Sequence, residues 1–181
     1  MHAPAKQVKV SFMRLFIAIQ LNDETKQQIE NIITALRLQN IQGNYVPEEN
    51  FHITLAFIGE YGDPDRVMEA LEEISFQPFG ISIGRMSCSD KACWADVGNS
   101  LELESLARQI RHVLADAEIP FDKKGFNPHV TFLRKPDYSR GRITYINAEP
   151  VSMVVSCFSL MQSTQGKNSM IYTELGSVEA Q

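Results

Sequence analysis

NFHITLAFIG, at residues 50–59, is a run of apolar, β-branched and aromatic residues that contains a histidine and a threonine two positions apart. Such a run predicts a β-strand. Because successive side chains of a strand point to opposite faces, His52 and Thr54 share one face of it. NPHVTFLR, at residues 127–134, repeats this arrangement with His129 and Thr131.

The duplication carries more information than either pair alone. A single His-x-Thr pair on a strand is more often a packing feature than a reactive one. Here two of the four histidines of the chain have a threonine two positions later, and both pairs lie in similar apolar surroundings. This predicts two imidazoles that meet across a cleft. His112 lacks the threonine, and we interpret it as a surface or boundary residue of a helix.

The composition is that of an ordinary globular protein. The chain has 181 residues, of which 44% are hydrophobic and 22% charged, which is enough for a core of normal size. No apolar run reaches the ~18 residues of a membrane span, and the first residues lack the features of a signal peptide. We expect a flexible tail at residues 1–12 and a single bilobal domain at residues 13–181, acting as a cytoplasmic monomer without membrane contact.

The cysteines and the net charge narrow the function classes. Cys88, Cys93 and Cys157 are an odd number without a Cys-x-x-Cys pair, which predicts reduced thiols and neither a disulfide framework nor a zinc site. A formal net charge of −5 disfavours a protein that grips many nucleic-acid phosphates. This net charge is compatible with a local basic pocket that binds one terminal phosphate.

The hydrophobic pattern predicts an α+β fold. Helices are expected at residues 23–38, at residues 65–75 and from Ser100 onward. Strands are expected at residues 14–21, 50–59, 79–85, 92–97, 128–134, 151–163 and 169–175. Residues 43–47 and 121–128 are predicted loops. Strands and helices do not alternate strictly, which favours α+β over a doubly wound sheet. A helix precedes a His-x-Thr strand in both halves, which suggests two similar lobes.

Two imidazoles on opposite walls are suited to concerted acid–base chemistry, since their ordinary pKa lies near ~6.5. One ring takes a proton from an attacking water while the other gives a proton to the leaving oxygen. The threonine hydroxyls between them can donate hydrogen bonds to anionic oxygens. The nearest carboxylates in sequence are those of Glu48, Glu49 and Glu60, whose spacing matches no metal site, so we expect no metal and no other cofactor.

The segments HITL at residues 52–55 and HVTF at residues 129–132 resemble the paired His-x-Thr-x motifs of the 2H phosphoesterases. They are most similar to those of the RNA 2′,3′-cyclic phosphodiesterases, also called 2′-5′ RNA ligases. The resemblance covers roughly residues 13–176 and includes the first strand at residues 14–18 and a final hairpin with Tyr172. Phe132 stands where leucine is usual, and Tyr45-Val46 lie where the family often has tryptophan.

This resemblance implies two pseudo-symmetric lobes of mainly antiparallel sheet, with outer helices and a central groove between them. It implies hydrolysis of RNA 2′,3′-cyclic phosphate ends to 2′-phosphomonoesters without metal, with reversible 2′-5′ joining of RNA ends. By the same resemblance His52 is the proton donor to the 3′ oxygen, His129 is the proton acceptor from water, and Thr54 and Thr131 bind the phosphate. The residues alone leave the reverse assignment of the two histidines open.

Arg134 and Phe57 occupy matching places, five residues after each motif histidine. Strict alternation turns both side chains away from the imidazoles, so they line the groove only if each strand bulges or ends first. In that case Arg134 pairs with phosphate or stacks on a base, and Phe57 stacks on a base. Lys123 and Lys124 either steer RNA toward the second motif or are solvated loop charges.

Two other functions fit the same scaffold. One is a module that binds RNA ends without turnover. The other is a phosphodiesterase that acts on 2′-5′-linked oligonucleotides or on small cyclic nucleotides such as an ADP-ribose cyclic phosphate. Turnover assays separate the first from an enzyme, and a comparison of substrates separates the second.

Overall fold

The computed structural model describes residues 11–144, 146 and 148–181. In chain order the elements are β1 (Met13–Gln20), α1 (Asp23–Leu38), β2 (Gln42–Tyr45), a 3₁₀ helix (Glu48–Asn50), β3 (His52–Tyr61), α2 (Pro64–Leu71), β4 (Phe79–Cys88), β5 (Ala92–Val97), α3 (Leu101–Asp116), β6 (His129–Asp137), β7 (Val151–Val155), β8 (Cys157–Gln165) and β9 (Met170–Glu179). The flexible tail expected at residues 1–12 falls almost wholly outside the described residues, and the domain boundaries stay a prediction.

The strands form two antiparallel sheets, which confirms the predicted α+β class. A four-stranded sheet has the order β3-β1-β8-β9, and a five-stranded sheet has the order β2-β6-β5-β4-β7. Each sheet contains one of the two His-x-Thr strands, β3 in the first and β6 in the second, and these two strands contact each other. The sheets do not follow the halves of the chain, since β2 joins the second sheet while β8 and β9 join the first.

The three helices begin at the capping residues that the sequence indicated. Asn22, Asp63 and Ser100 each accept a hydrogen bond from the backbone N–H three residues later, and a cap of this kind stabilises a helix by about 1 kcal/mol. The helices lie on the outside of the sheets: α1 contacts β7, α3 contacts β3 and β4, and α2 contacts α3 and β9. None of the described helices is long and apolar enough to cross a membrane.

Several element boundaries differ from the prediction. Helix α2 ends at Leu71 rather than near residue 75, because the chain leaves the helix in a turn that still buries Ile74. The predicted strand at residues 151–163 is two strands, which separate at Ser156 and enter different sheets. Residues 43–45 of the predicted loop at 43–47 belong to strand β2. This strand is short, polar and mostly exposed, so only its pairing with β6 defines it.

Strand β6 also extends to Asp137, past Pro136 and beyond its predicted end at residue 134. Pro136 lies in the irregular part of the β2–β6 pairing, between the residue pairs Gln42–Asp137 and Asn44–Arg134. A bulge is one of the places where a sheet tolerates a proline, since no ladder hydrogen bond from that position is required.

The prediction of three reduced cysteines is wrong for two of them. Strand β4 continues to Cys88, three residues beyond its predicted end, so the hairpin places Cys88 directly opposite Cys93 of β5. Their Cα atoms are 4.1 Å apart and a disulfide joins their side chains, while Cys157 is free. The cytoplasmic location, which rested partly on reduced thiols, stays a prediction.

Two apolar clusters lie on opposite faces of the first sheet. The main cluster fills the space between the sheets and the helices. A small second cluster consists of Phe16, Ala18 and Met161, with Phe57 and Tyr172 packed against it. The second cluster is on the face that carries the first His-x-Thr pair, as the packing of Phe16 against His52 shows. It forms the apolar floor of the site described next.

Candidate active site

Equivalent β-bulges follow the two His-x-Thr pairs. Leu55 is an extra residue in the pairing of β3 with β1, and Phe132 is an extra residue in the pairing of β6 with β5. Each bulge residue and the residue after it, Ala56 or Leu133, are buried in succession. Alternation therefore shifts by one position at the same place in both strands.

The bulge that Phe57 and Arg134 require in order to line the groove is thus present in both strands. After the shift, both side chains face the groove instead of the core. They line a cavity of about 400 Å³ together with His52 and Thr54. The remaining lining residues of this cavity are Arg14, Phe16, Ser163, Gln165, Met170 and Tyr172. Four of the six predicted site residues thus share one cavity, and His129 and Thr131 are not among its lining residues.

Four contacts hold the His52 ring in place. Its Nδ1 is 2.7 Å from the carbonyl oxygen of Asn50, and its Nε2 is 3.1 Å from Oγ1 of Thr54. A carbonyl oxygen only accepts, so Nδ1 carries the proton and Nε2 of the neutral ring accepts from the Thr54 hydroxyl. The rings of Phe16 and Tyr172 pack against the imidazole, with centroids 5.0 and 5.3 Å away.

His129 is held in the same way from the second sheet. Its Nδ1 is 2.8 Å from the carbonyl oxygen of Asn127, which again lies two residues earlier in the chain. The ring packs edge-on against Trp94 of β5, at 6.1 Å between centroids, and Trp94 is fixed by a 2.9 Å hydrogen bond from its indole N–H to Asp96. Both imidazoles therefore have Nδ1 engaged by an asparagine carbonyl, which leaves Nε2 as the nitrogen that can accept a proton.

Electrostatics link the two histidines. Burial lowers the pKa of His52, the hydrogen bond to the Asn50 carbonyl opposes this shift, and the charges of Arg134 and His129 lower the pKa further. The two motif strands, which belong to different sheets, contact each other. The lowered pKa of His52 favours the neutral ring in the unliganded protein at pH 7.

Sequence reasoning assigned no side-chain role to six of the ten lining residues, and Arg14 and Tyr172 are two of these six. Arg14 places its guanidinium 4.9 Å from the centre of the Phe57 ring, and Tyr172 packs against His52. Alternation along β1 offered a signal for Arg14, since residues 14 and 16 share a face and Phe16 contacts His52. Tyr172 comes from β9, far along the chain, and only the sheet order brings it to the site.

The loop lysines and His112 lie outside the cavity. Lys124 is 3.4 Å from the Asp122 carboxylate, and Lys123 lies over the Phe121 ring at 3.8 Å. His112 pairs with Asp116 on an exposed face of α3, which confirms it as a surface residue. Within the described part of the chain, no group of three or more histidine, cysteine, aspartate or glutamate residues could hold a metal ion.

Comparisons with known proteins agree with this geometry. Residues 25–167 match the family model of the 2′-5′ RNA ligase superfamily. The RNA 2′,3′-cyclic phosphodiesterase of Thermotoga maritima is 32% identical over 176 residues, which cover 90% of this chain and 93% of the relative. The protein of that name from Archaeoglobus fulgidus is 31% identical over 175 residues, covering 90% and 98%.

Solved structures agree on the fold. The crystal structure of E. coli LigT complexed with 3′-AMP superposes with a TM-score of 0.77 at 24% identity, covering 94% of this chain and 99% of that chain. At this level of identity the likeness concerns the fold alone. The family model matches more than half of the chain and both relatives are more than 30% identical over most of their length, so the chain belongs to the 2′-5′ RNA ligase superfamily of phosphoesterases.

Proposed function

We propose that this protein hydrolyses RNA 2′,3′-cyclic phosphate ends to 2′-phosphomonoesters without a metal ion. The relatives named RNA 2′,3′-cyclic phosphodiesterase support this substrate class. The observation that carries the proposal is the pair of imidazoles on two contacting strands of separate sheets, each with Nδ1 engaged by an asparagine carbonyl.

In the proposed reaction a water oxygen attacks phosphorus and the bond from phosphorus to O3′ breaks. Nε2 of His129 accepts the proton of the attacking water, and Nε2–H of His52 gives a proton to the departing O3′. Thr54 and Thr131 donate hydrogen bonds to the non-bridging oxygens, where negative charge develops. Arg134 offsets that charge from the wall of the cavity.

The state of His52 in the unliganded protein bears on this assignment. Its lowered pKa leaves the ring neutral at pH 7, whereas a proton donor must be charged before the reaction. A bound phosphate anion favours the imidazolium and so raises the pKa of His52. In the same step the Thr54 hydroxyl, which caps Nε2 in the free protein, turns to a phosphate oxygen.

Product analysis on a defined oligonucleotide with a 2′,3′-cyclic phosphate end, with EDTA present, tests the proposal. We expect a 2′-phosphate product. A 3′-phosphate product would reject the regiochemistry, and activity that requires added metal would reject the two-histidine chemistry. Binding without any product would identify an RNA-end binding module instead.

The same assay addresses the remaining alternatives. If 2′-5′-linked oligonucleotides or an ADP-ribose cyclic phosphate turn over faster than the cyclic-ended RNA, the substrate class is one of those. Joining of RNA ends through a 2′-5′ bond is the reverse reaction, with a ribose hydroxyl in place of water. We further propose that the protein works as a monomer, because residues of one chain supply both histidines and the cavity.

A further inference from the structure

A second cavity adjoins the one that contains His52. It has a volume of about 350 Å³, and it shares Arg134, Gln165, Met170 and Tyr172 with the first cavity. The two spaces therefore adjoin along the wall that these four residues form. The volume of each cavity lies near the lower end of the range for small-ligand pockets. Together the two cavities therefore suit a ligand of two linked groups better than a single large group.

The second cavity has the chemistry of a site for an unpaired nucleotide. Its own walls come from β2 and its following loop and from the turn between β8 and β9. They include Asn44, Asn168 and Ser169, and the aromatic residue that both cavities share is Tyr172. Single-stranded RNA is recognised by stacking of bases on aromatic rings and by hydrogen bonds to base edges, for which amides and hydroxyls serve as donors and acceptors.

The charge distribution also favours a nucleic-acid ligand. The protein has 22 acidic residues and a net charge of −5, yet none of the described residues lining either cavity is Asp or Glu. The charged side chains in the walls are Arg14 and Arg134, beside the half-buried His52. Arg134 lines both cavities, so a chain that passes from one to the other places its linking phosphate near this guanidinium.

We propose that the second cavity binds the nucleotide immediately 5′ to the one that carries the cyclic phosphate. This inference rests on the proposed function and adds to it the length of the substrate. The protein then prefers the ends of oligonucleotides over free mononucleoside cyclic phosphates, because the first cavity holds only the terminal nucleotide. Stacking of one further base justifies an expected preference of about tenfold in kcat/KM.

The kinetic test compares a mononucleoside 2′,3′-cyclic phosphate with the dinucleotide that ends in the same cyclic nucleoside. Asn44→Asp with Asn168→Asp places two carboxylates in the second cavity at exposed positions with little change of shape. We expect this double variant to lower kcat/KM for the dinucleotide at least about fivefold by charge repulsion and to leave the mononucleotide within about twofold. Asn31→Asp, on the exposed face of α1, is the matched control and should affect neither substrate.

Equal kcat/KM for the two substrates, or an equal loss on both in the double variant, would overturn the inference. Affinity for the dinucleotide 2′-phosphate and for the mononucleotide 2′-phosphate, measured by calorimetry in EDTA, separates this outcome from failure of the proposed function. Tighter dinucleotide binding that the double variant abolishes, without turnover of either substrate, would uphold the subsite and reject the hydrolase. Turnover without a preference for the dinucleotide in rate or affinity would uphold the hydrolase and reject the subsite.

Discussion

At the scale of single residues, the site depends on one contact that occurs twice. Asn50 and Asn127 each offer a backbone carbonyl to Nδ1 of the histidine two positions later, at 2.7 and 2.8 Å. This contact fixes the tautomer, with the proton on Nδ1 and Nε2 as the acceptor. Only the backbone geometry that precedes each strand reveals this role, because the carbonyl and not the asparagine side chain makes the bond.

The lowered pKa of His52 predicts a pH dependence of stability. Its ordinary pKa, near ~6.5, applies to the unfolded chain, and the folded value lies below it. Between these values the unfolded chain binds more protons, so the free energy of unfolding falls as the pH drops below about 6.5 and stops falling below the folded pKa. We expect His52→Gln to remove this component and His112→Gln to retain it, as measured by urea denaturation at a series of pH values. An identical pH dependence in wild type and His52→Gln would contradict the shift.

The roles of proton donor and proton acceptor can be assigned to the two histidines by experiment. A cyclic phosphorothiolate with sulfur in place of O3′ has a leaving group that needs no proton donor. If His52 is the donor, His52→Ala should regain most of its lost activity on this substrate, while His129→Ala should remain impaired by about 10²-fold or more. Rescue of His129→Ala instead would establish the reverse assignment, with His129 as proton donor and His52 as proton acceptor.

At the scale of elements, the bulges at Leu55 and Phe132 determine which side chains reach the groove. A strand without the bulge would turn Phe57 and Arg134 toward the core, as strict alternation requires. The sequence shows two consecutive apolar residues at each place, which is compatible with a bulge but also with the end of a strand. Only the pairing with β1 and β5 decides between them.

The disulfide between β4 and β5 predicts a measurable effect of reduction. Cys88 and Cys93 have a sequence separation of 5, and a disulfide that closes a loop of this size stabilises the folded state by about 2 kcal/mol. We expect a reductant to lower the free energy of unfolding of the wild type by about this amount. The variant Cys88→Ala/Cys93→Ala should not respond to the reductant. Equal stability of the wild type with and without reductant would argue against the bond.

Much of the element pattern was predictable, and the exceptions have a common cause. Helix starts at Asn22, Asp63 and Ser100 depend on local capping, which a sequence displays directly. Strand β2 and the division at Ser156 depend on partners far along the chain, so local patterns do not reveal them. The cysteine prediction failed for a related reason, since the pairing of Cys88 with Cys93 follows from strand register.

At the scale of the whole molecule, two sheets that exchange strands bring the two motifs together. Strand β2 crosses to the sheet of β6, while β8 and β9 cross to the sheet of β3. The crossing strands also supply walls of the two adjoining cavities, through Asn44 and Tyr45 of β2 and Tyr172 of β9. The net charge of −5 therefore says little about the groove, whose described lining contains arginine and no carboxylate.

The central claim is that two imidazoles from separate sheets act as a unit on one phosphate. The most direct measurement is the turnover number on cyclic-ended RNA, with EDTA present, for His52→Ala, His129→Ala and the double variant. We predict a loss of at least about 10²-fold in each single variant and no further loss of similar size in the double variant, because residues that act together are strongly non-additive. Near-normal turnover in either single variant would contradict the claim.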